Sequence, residues 1–287
     1  MNDLAYVNGE FTALEEATVS IRDRGFQFGD SIYEVIKLYN GKLFKLEEHL
    51  QRLFKSAQQI RLDLEYSISD LKEIINQVLA KNKSSSRRKE GGLYIQITRG
   101  SASRSHSCDD DLEPTIIMYL LPAKKIASQV RKKGITAITM PEKRWQHCNI
   151  KTTNLLPNIL TSQQAKDNGA DEGIFVTEVG IVTEGTSSNV FIVKDNQIYT
   201  HPDDGEILPG ITRELVLELT ANKFDVKEEK FDLNSLYQAD EVFITNTPKE
   251  VLGVIEVNEQ KIAQGQVGTI TKRIHQLYKK HIEEFRE

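Results

Sequence analysis

Cys148-Asn149-Ile150-Lys151-Thr152-Thr153-Asn154-Leu155-Leu156 is the stretch on which the reading of this chain turns. It sets one lysine among short polar residues, just ahead of an apolar pair that opens a helical pattern. Downstream come Val182-Thr183-Glu184-Gly185-Thr186-Ser187-Ser188-Asn189-Val190-Phe191 and then Leu208-Pro209-Gly210-Ile211-Thr212-Arg213. Each alone says little. A lysine after an apolar residue is commonly a solvated side chain, Glu184 alone a turn residue, and Gly210 alone the entry to a helix. The order and spacing of the three carry the argument.

Together they supply the parts needed to hold pyridoxal phosphate. A lysine amine condenses with the cofactor aldehyde, a carboxylate pairs with the pyridinium nitrogen, and backbone N–H groups at a helix entry hold the phosphate. On these residues the chain resembles the fold-type IV, class IV aminotransferases and, within them, the D-amino-acid aminotransferases. The resemblance runs from Tyr6-Val7-Asn8-Gly9-Glu10 to the last helix.

The resemblance implies pyridoxal 5'-phosphate as cofactor and Lys151 as the catalytic amine that forms the Schiff base. It implies Glu184 as partner of the ring nitrogen. Leu208 would lie against the ring, and Ile211, Thr212, Thr247 and Arg52 would bind the phosphate. The hydroxyls of Thr186, Ser187 and Ser188 share a turn with Glu184 and are further candidates. Helical spacing gives a different answer for Arg52, which falls about 130° from the middle of its helix's apolar stripe at roughly 100° per residue. By that pattern it lies on a solvated face.

The loop Thr98-Arg99-Gly100-Ser101-Ala102-Ser103-Arg104-Ser105-His106 carries an Arg-x-His pair. By resemblance Arg104, His106 and Tyr33 grip the α-carboxylate of a D-amino acid, with the amino group passing to a 2-oxo acid. Arginine supplies a charged fork; histidine and tyrosine add donors. In the family this loop reaches the neighbouring subunit, which implies a homodimer. Branched-chain L-amino-acid aminotransferases and aminodeoxychorismate lyases share the cofactor residues without the Arg-x-His pattern and form the alternative. The sequence departs from its relatives at Phe26, Thr152-Thr153, Pro157 and Pro248.

The chain has 287 residues and a net charge of −5. That mildly acidic balance gives no electrostatic case for nucleic acid, and Lys83-Ser84-Ser85-Ser86-Arg87-Arg88-Lys89 reads as a solvated loop. Two cysteines do not make a disulfide framework, which fits a reducing cytoplasm. No leader-like apolar segment or membrane-length run is seen. A metal module on His106, Cys108, His147 and Cys148 is weighed and set aside, because the pairs lie far apart in sequence and lack CxxC spacing.

The pattern predicts an α/β (α+β-like) chain of two domains. Residues 1–121 form a small N-terminal α/β domain, 122–133 a linker, and 134–287 a larger cofactor-binding domain with a mostly antiparallel sheet. Asn40-Gly41 predicts a hairpin. Leu46, Leu50, Leu53, Phe54, Ala57 and Ile60 predict one helix, and Leu71, Ile74, Ile75, Val78 and Leu79 a second, with Ser67 and Asp70 as its capping box. Strands are expected at 92–98, 114–121, 135–140, 173–177, 181–184, 189–193, 197–200, 241–245 and 254–257. Helices are expected after Lys151 and ending at Gly169, from about Arg213, and at the C-terminus.

Overall fold

The computed structural model describes residues 3–108, 111–123 and 126–287. Residues 109–110 of the expected long loop and 124–125 of the expected linker lie outside the described residues. The chain divides into two compact units. The first is built from residues up to 124 together with 150–154 and 286, the second from the remainder.

The first unit contains β1 (Leu4–Val7), β2 (Glu10–Ala13), α1 (Arg24–Phe28), β3 (Ser31–Tyr39), β4 (Lys42–Leu43), α2 (Leu46–Gln59), α3 (Ile68–Lys81), α4 (Arg87–Glu90), β5 (Gly92–Thr98) and β6 (Thr115–Leu121). Its sheet runs β2-β1-β6-β5-β3-β4, with every pairing antiparallel. Asn40 and Gly41 turn the β3–β4 hairpin with φ of 49° and 80°, the left-handed geometry that asparagine and glycine tolerate. Leu50, Leu53 and Ala57 of α2 and Leu71, Ile75 and Val78 of α3 pack on Ile32, Ile36, Leu93, Ile95 and Ile97. Each such side chain contributes about 1.5–3 kcal/mol by leaving water. The Ser67–Asp70 capping box starts α3 as expected.

Strand β3 alternates strictly, so Glu34 falls in the row of Ile32, Ile36 and Leu38 and is fully buried. The segment around Lys151 adds to the end of this strand. The Tyr33 N–H donates to the Lys151 carbonyl (3.0 Å) and the Thr153 N–H to the Ser31 carbonyl (3.2 Å).

The second unit contains α5 (Ser128–Lys133), β7 (Ile135–Pro141), α6 (Leu156–Asp167), β8 (Glu172–Val176), β9 (Val182–Gly185), β10 (Asn189–Lys194), β11 (Gln197–Thr200), α7 (Ile211–Thr220), β12 (Asp225–Glu228), α8 (Leu233–Tyr237), β13 (Glu241–Asn246), β14 (Glu250–Val257), β15 (Gln260–Lys261) and α9 (Thr269–Arg286). Its sheet runs β12-β11-β10-β13-β14-β7-β8-β9, and β9 returns to pair with β10. The closing pair is Glu184 with Asn189. Antiparallel pairings predominate, but β7–β8, β7–β14 and β11–β12 are parallel.

Local differences from expectation have local causes. Residues 128–133, expected within a linker, form α5, which ends at Gly134 with φ 84°. Helix α6 follows Lys151 as expected and starts at Leu156, with Pro157 in its first turn, where a missing N–H costs no hydrogen bond. Gly169, with φ 72°, follows its end. Helix α7 starts at Ile211 rather than Arg213.

Candidate active site

On the first unit, Lys151 is fixed by its backbone. Its N–H donates to Ser56 Oγ (3.2 Å), and its Nζ stands 4.3 Å from the centre of the Tyr33 ring. The neighbouring Thr153 and Ser31 hydroxyls are 2.5 Å apart, and Asn154 Nδ2 donates to the Gly29 carbonyl (3.3 Å).

The structure overturns the helical-wheel reading of Arg52. Its side chain is only 9% exposed. Nε donates to Glu34 Oε1 (2.7 Å) and Nη2 to Glu34 Oε2 (2.9 Å), while His49 Nδ1 lies 2.7 Å from Oε2. Hydrophobic spacing finds the apolar stripe alone. It cannot register a buried carboxylate on the adjacent strand that draws a guanidinium inward. Burial opposes the charge on Glu34, but Arg52 and His49 beside it hold its carboxyl well below the ordinary range. Burial pushes His49 down against the pull of Glu34.

Arg104 and His106 are exposed and meet around one ring. The Arg104 guanidinium lies 5.0 Å from the centre of Phe28, and His106 packs on Phe28 edge-on at 5.7 Å. Tyr33 stacks on Tyr94, with centroids 5.9 Å apart.

On the second unit, Glu184 is buried at the seam where the sheet closes. Its Oε1 pairs with Arg144; its Oε2 accepts from Asn189 Nδ2 (3.2 Å) and the Leu208 N–H (3.1 Å). Burial pushes the Glu184 carboxyl up, and Arg144 pulls against that. Arg144 also holds Glu142 (Nη2 to Oε2, 2.5 Å) and lies over Phe175 at 4.3 Å. The sequence reading missed Arg144, Glu142 and Asn189. Arg144 stands in an irregular segment with no periodicity to mark it.

Asn189 Nδ2 also donates to the Leu208 carbonyl (2.8 Å), which fixes the approach to α7. That helix has Gly210 as N-cap and no side-chain cap, so its first N–H groups are left for another acceptor. A Cβ on Gly210 would collide with Asn189 Oδ1. Ile211 and Thr212 open the helix and are buried. Thr247 sits in the β13–β14 turn. Asn246 ties that turn to the Ser187 carbonyl (3.1 Å), and Lys249 ties it to Glu172 Oε2 (3.1 Å). The Thr186 and Ser188 hydroxyls, candidates for the cofactor, donate to the buried Glu172. Among the described residues, the Thr245 hydroxyl is buried without a partner.

Among the described residues, the group with metal-ligand spacing is His201, Asp204 and Glu206, and Lys230 bonds both of its carboxylates. Cys148, from the metal reading set aside above, has its thiol pushed up to about 12 by burial, which disfavours the thiolate a metal needs.

The family model for amino-transferase class IV matches residues 31–257. The chain belongs to the class IV aminotransferases. It is 44% identical over 268 residues to a D-alanine aminotransferase of Bacillus licheniformis, with 93% of each chain covered. It is 42% identical to a D-alanine aminotransferase of Staphylococcus epidermidis, with 97% of each covered. In structure it is similar to the branched-chain amino acid aminotransferase of Escherichia coli (TM-score 0.89, 28% identity, 98% of this chain and 94% of that one). It is likewise similar to the branched-chain amino acid aminotransferase of Thermoproteus uzoniensis with norvaline (TM-score 0.85, 25% identity, 97% and 94%). The mixed α/β fold and mainly antiparallel sheets agree with the fold type expected. Class IV aminotransferases are pyridoxal-phosphate enzymes, and the groups present suit the cofactor: a buried carboxylate, a helix entry without a side-chain cap, and a buried hydroxyl with no partner among the described residues. No helix among the described residues is long and apolar enough to cross a membrane.

Proposed function

We propose that this class IV aminotransferase takes an amino group from a D-amino acid and passes it to a 2-oxo acid. The observation that carries this reading is the Arg104–His106 pair gathered on Phe28, in a chain whose relatives at 44% and 42% identity are D-alanine aminotransferases. The branched-chain enzymes share the fold at lower identity.

When bound, pyridoxal phosphate supplies an electron sink for the pair left on the substrate Cα as its proton departs. With the cofactor in place, Lys151 Nζ would take that proton and return it. Glu184 would accept the ring N–H of the bound cofactor, and Arg144, paired with Glu184 Oε1, would keep charge at that point. Arg52, the Ile211 and Thr212 N–H groups and the hydroxyls of Thr212 and Thr247 would hold the phosphate, and Leu208 would lie against the ring. Residues 134–287 thus serve as the main cofactor-binding domain, and 1–121 as the smaller one. Tyr33, Arg104 and His106 grip the α-carboxylate.

The active form is a homodimer. Leu156, Ile159 and Leu160 share one face of α6 at helical spacing and are 65%, 59% and 62% exposed, an apolar stripe suited to a second copy. The compartment is the cytoplasm, in keeping with two free cysteines.

Absorbance of the purified protein supplied with pyridoxal phosphate tests the reading. D-Alanine or D-glutamate should convert the visible cofactor band to a near-ultraviolet one. A response to L-leucine alone would make this a branched-chain enzyme, and no visible band at all would remove Lys151 from its role.

A further inference from the structure

We propose that Arg24 is a positioning residue that presets the Arg104–His106 loop for the substrate carboxylate. This inference rests on the role given to that loop above. Arg24 belongs to the five-residue α1, whose neighbour Phe26 is 72% exposed, yet Arg24 itself is only 5% exposed. Its guanidinium spends three nitrogens in three directions. Nη1 donates to the Ser105 carbonyl (2.7 Å), Nη2 to the His106 carbonyl (3.0 Å) and Nε to Asp30 Oδ2 (2.8 Å). Two successive carbonyls of the loop are therefore read by one rigid fork, a geometry that an ammonium cannot reproduce.

Phe28, on the same short helix, serves both arginines. The Arg24 guanidinium lies 5.1 Å and that of Arg104 5.0 Å from the ring centre, while His106 meets the ring edge-on. Cations over an aromatic face are attracted by its quadrupole, so Phe28 fixes the side chain of Arg104 while Arg24 fixes the backbone beside it.

The brace is itself anchored. Asp30 Oδ2 also accepts from Arg99 Nε (2.9 Å), and Arg99 donates to the Arg61 and Ile60 carbonyls (2.8 and 2.7 Å). The loop base is tied by the Arg24 N–H to the Gly100 carbonyl (2.8 Å) and by the Thr98 hydroxyl to Asp23 Oδ2 (2.8 Å). Beyond Ala102, by contrast, residues 103–107 make no other backbone hydrogen bond among the described residues. Arg24 is thus what holds the backbone of the carboxylate-binding pair. Without it the pair would have to be ordered by each substrate as it binds, at an entropic cost that appears in KM.

The test compares Arg24→Met, Arg24→Lys and Arg104→Leu holoenzymes. KM and kcat for D-alanine are measured with the inhibition constant of propanoate, which carries the carboxylate without the amine. Expected for Arg24→Met is a rise of about 10-fold or more in both KM and the inhibition constant, with kcat and the visible cofactor band unchanged. Arg24→Lys, the milder variant should the methionine protein fail to fold, moves both constants in the same direction. If Arg104→Leu raises the constants and folded Arg24 variants do not, the inference on Arg24 fails and the loop reading stands. If no variant, Arg104→Leu included, moves them, the loop reading fails and the inference with it. If Arg24→Met lowers kcat and bleaches the cofactor band together with the rise in KM, its role is general support of the fold, and the proposal is overturned.

Discussion

Glu34→Gln tests the most heavily buried charge in the first unit. Glu34 is fully buried, and it neutralises Arg52 through two hydrogen bonds while accepting from His49. Glutamine keeps the shape but leaves Arg52 with one neutral acceptor in a place little reached by water. Removing one partner of a buried ion pair costs about 3–5 kcal/mol, and retention of one acceptor places this variant near the lower end. Urea unfolding of apoprotein should shift its midpoint down by about 1 M or more. If Arg52 also binds the cofactor phosphate, that dianion restores the missing counter-charge. The loss in holoenzyme should then be smaller than in apoprotein by at least about 1 kcal/mol, one charge-assisted bond. The pH dependence has a definite sign. The folded carboxyl lies below its unfolded value, so its stabilisation is complete above the ordinary glutamate range near about 4.3 and is lost as pH falls. Wild type and variant should therefore converge in acid. Equal losses with and without cofactor would detach Arg52 from the phosphate. A loss under about 1 kcal/mol in apoprotein would refute the view that this pair organises the helix against the strand.

Gly210→Ala drives a methyl group into Asn189 Oδ1 and so disturbs the side chain that bonds both Glu184 and Leu208. Cofactor dissociation followed by absorbance should be faster by about 10-fold or more, the equivalent of roughly one lost hydrogen bond; an unchanged rate would mean the α7 entry is not where the phosphate sits. Leu160→Glu on the exposed face of α6 should convert a dimer to monomers in light scattering, since a charge in an apolar interface is left unpaired. A dimer that persists would place the interface elsewhere.

Much of this architecture is legible in the sequence where the signal is local. Ser67 and Asp70 announce a helix start, and Asn40-Gly41 a hairpin, because a cap or a left-handed turn needs particular residues whatever surrounds it. Asn8-Gly9, with φ 45° and 94° between β1 and β2, is a turn of the same kind. Helices of four to six residues, such as α1, α4 and α5, are too short for a 3.6-residue period to register. The lysine, the glutamate and the Gly-Ile-Thr turn stand out as candidates because the chemistry proposed for them fixes residue types and order. Arg144 and Glu172 were not. Each acts through partners distant in the chain, Glu184 at one site and Thr186, Ser188 and Lys249 at the other, and no local pattern marks a residue chosen for what it meets across the fold. The parallel pairs β7–β8 and β7–β14 are hidden for the same reason.

The assignment of residues 150–154 to the first unit, while the chain on both sides of them belongs to the second, bears on how the protein is made. During synthesis the ribosome releases the first 121 residues with the outer end of β3 still lacking the Lys151 segment that later hydrogen-bonds to it. The small domain is complete only after a stretch of the next one has emerged. A gene fragment cut at the apparent linker should therefore yield a folding unit with an unfilled docking strip beside Ser31 and Tyr33, and supplying a peptide that spans residues 148–156 in trans should protect the Tyr33 amide, which donates to the Lys151 carbonyl, from hydrogen exchange.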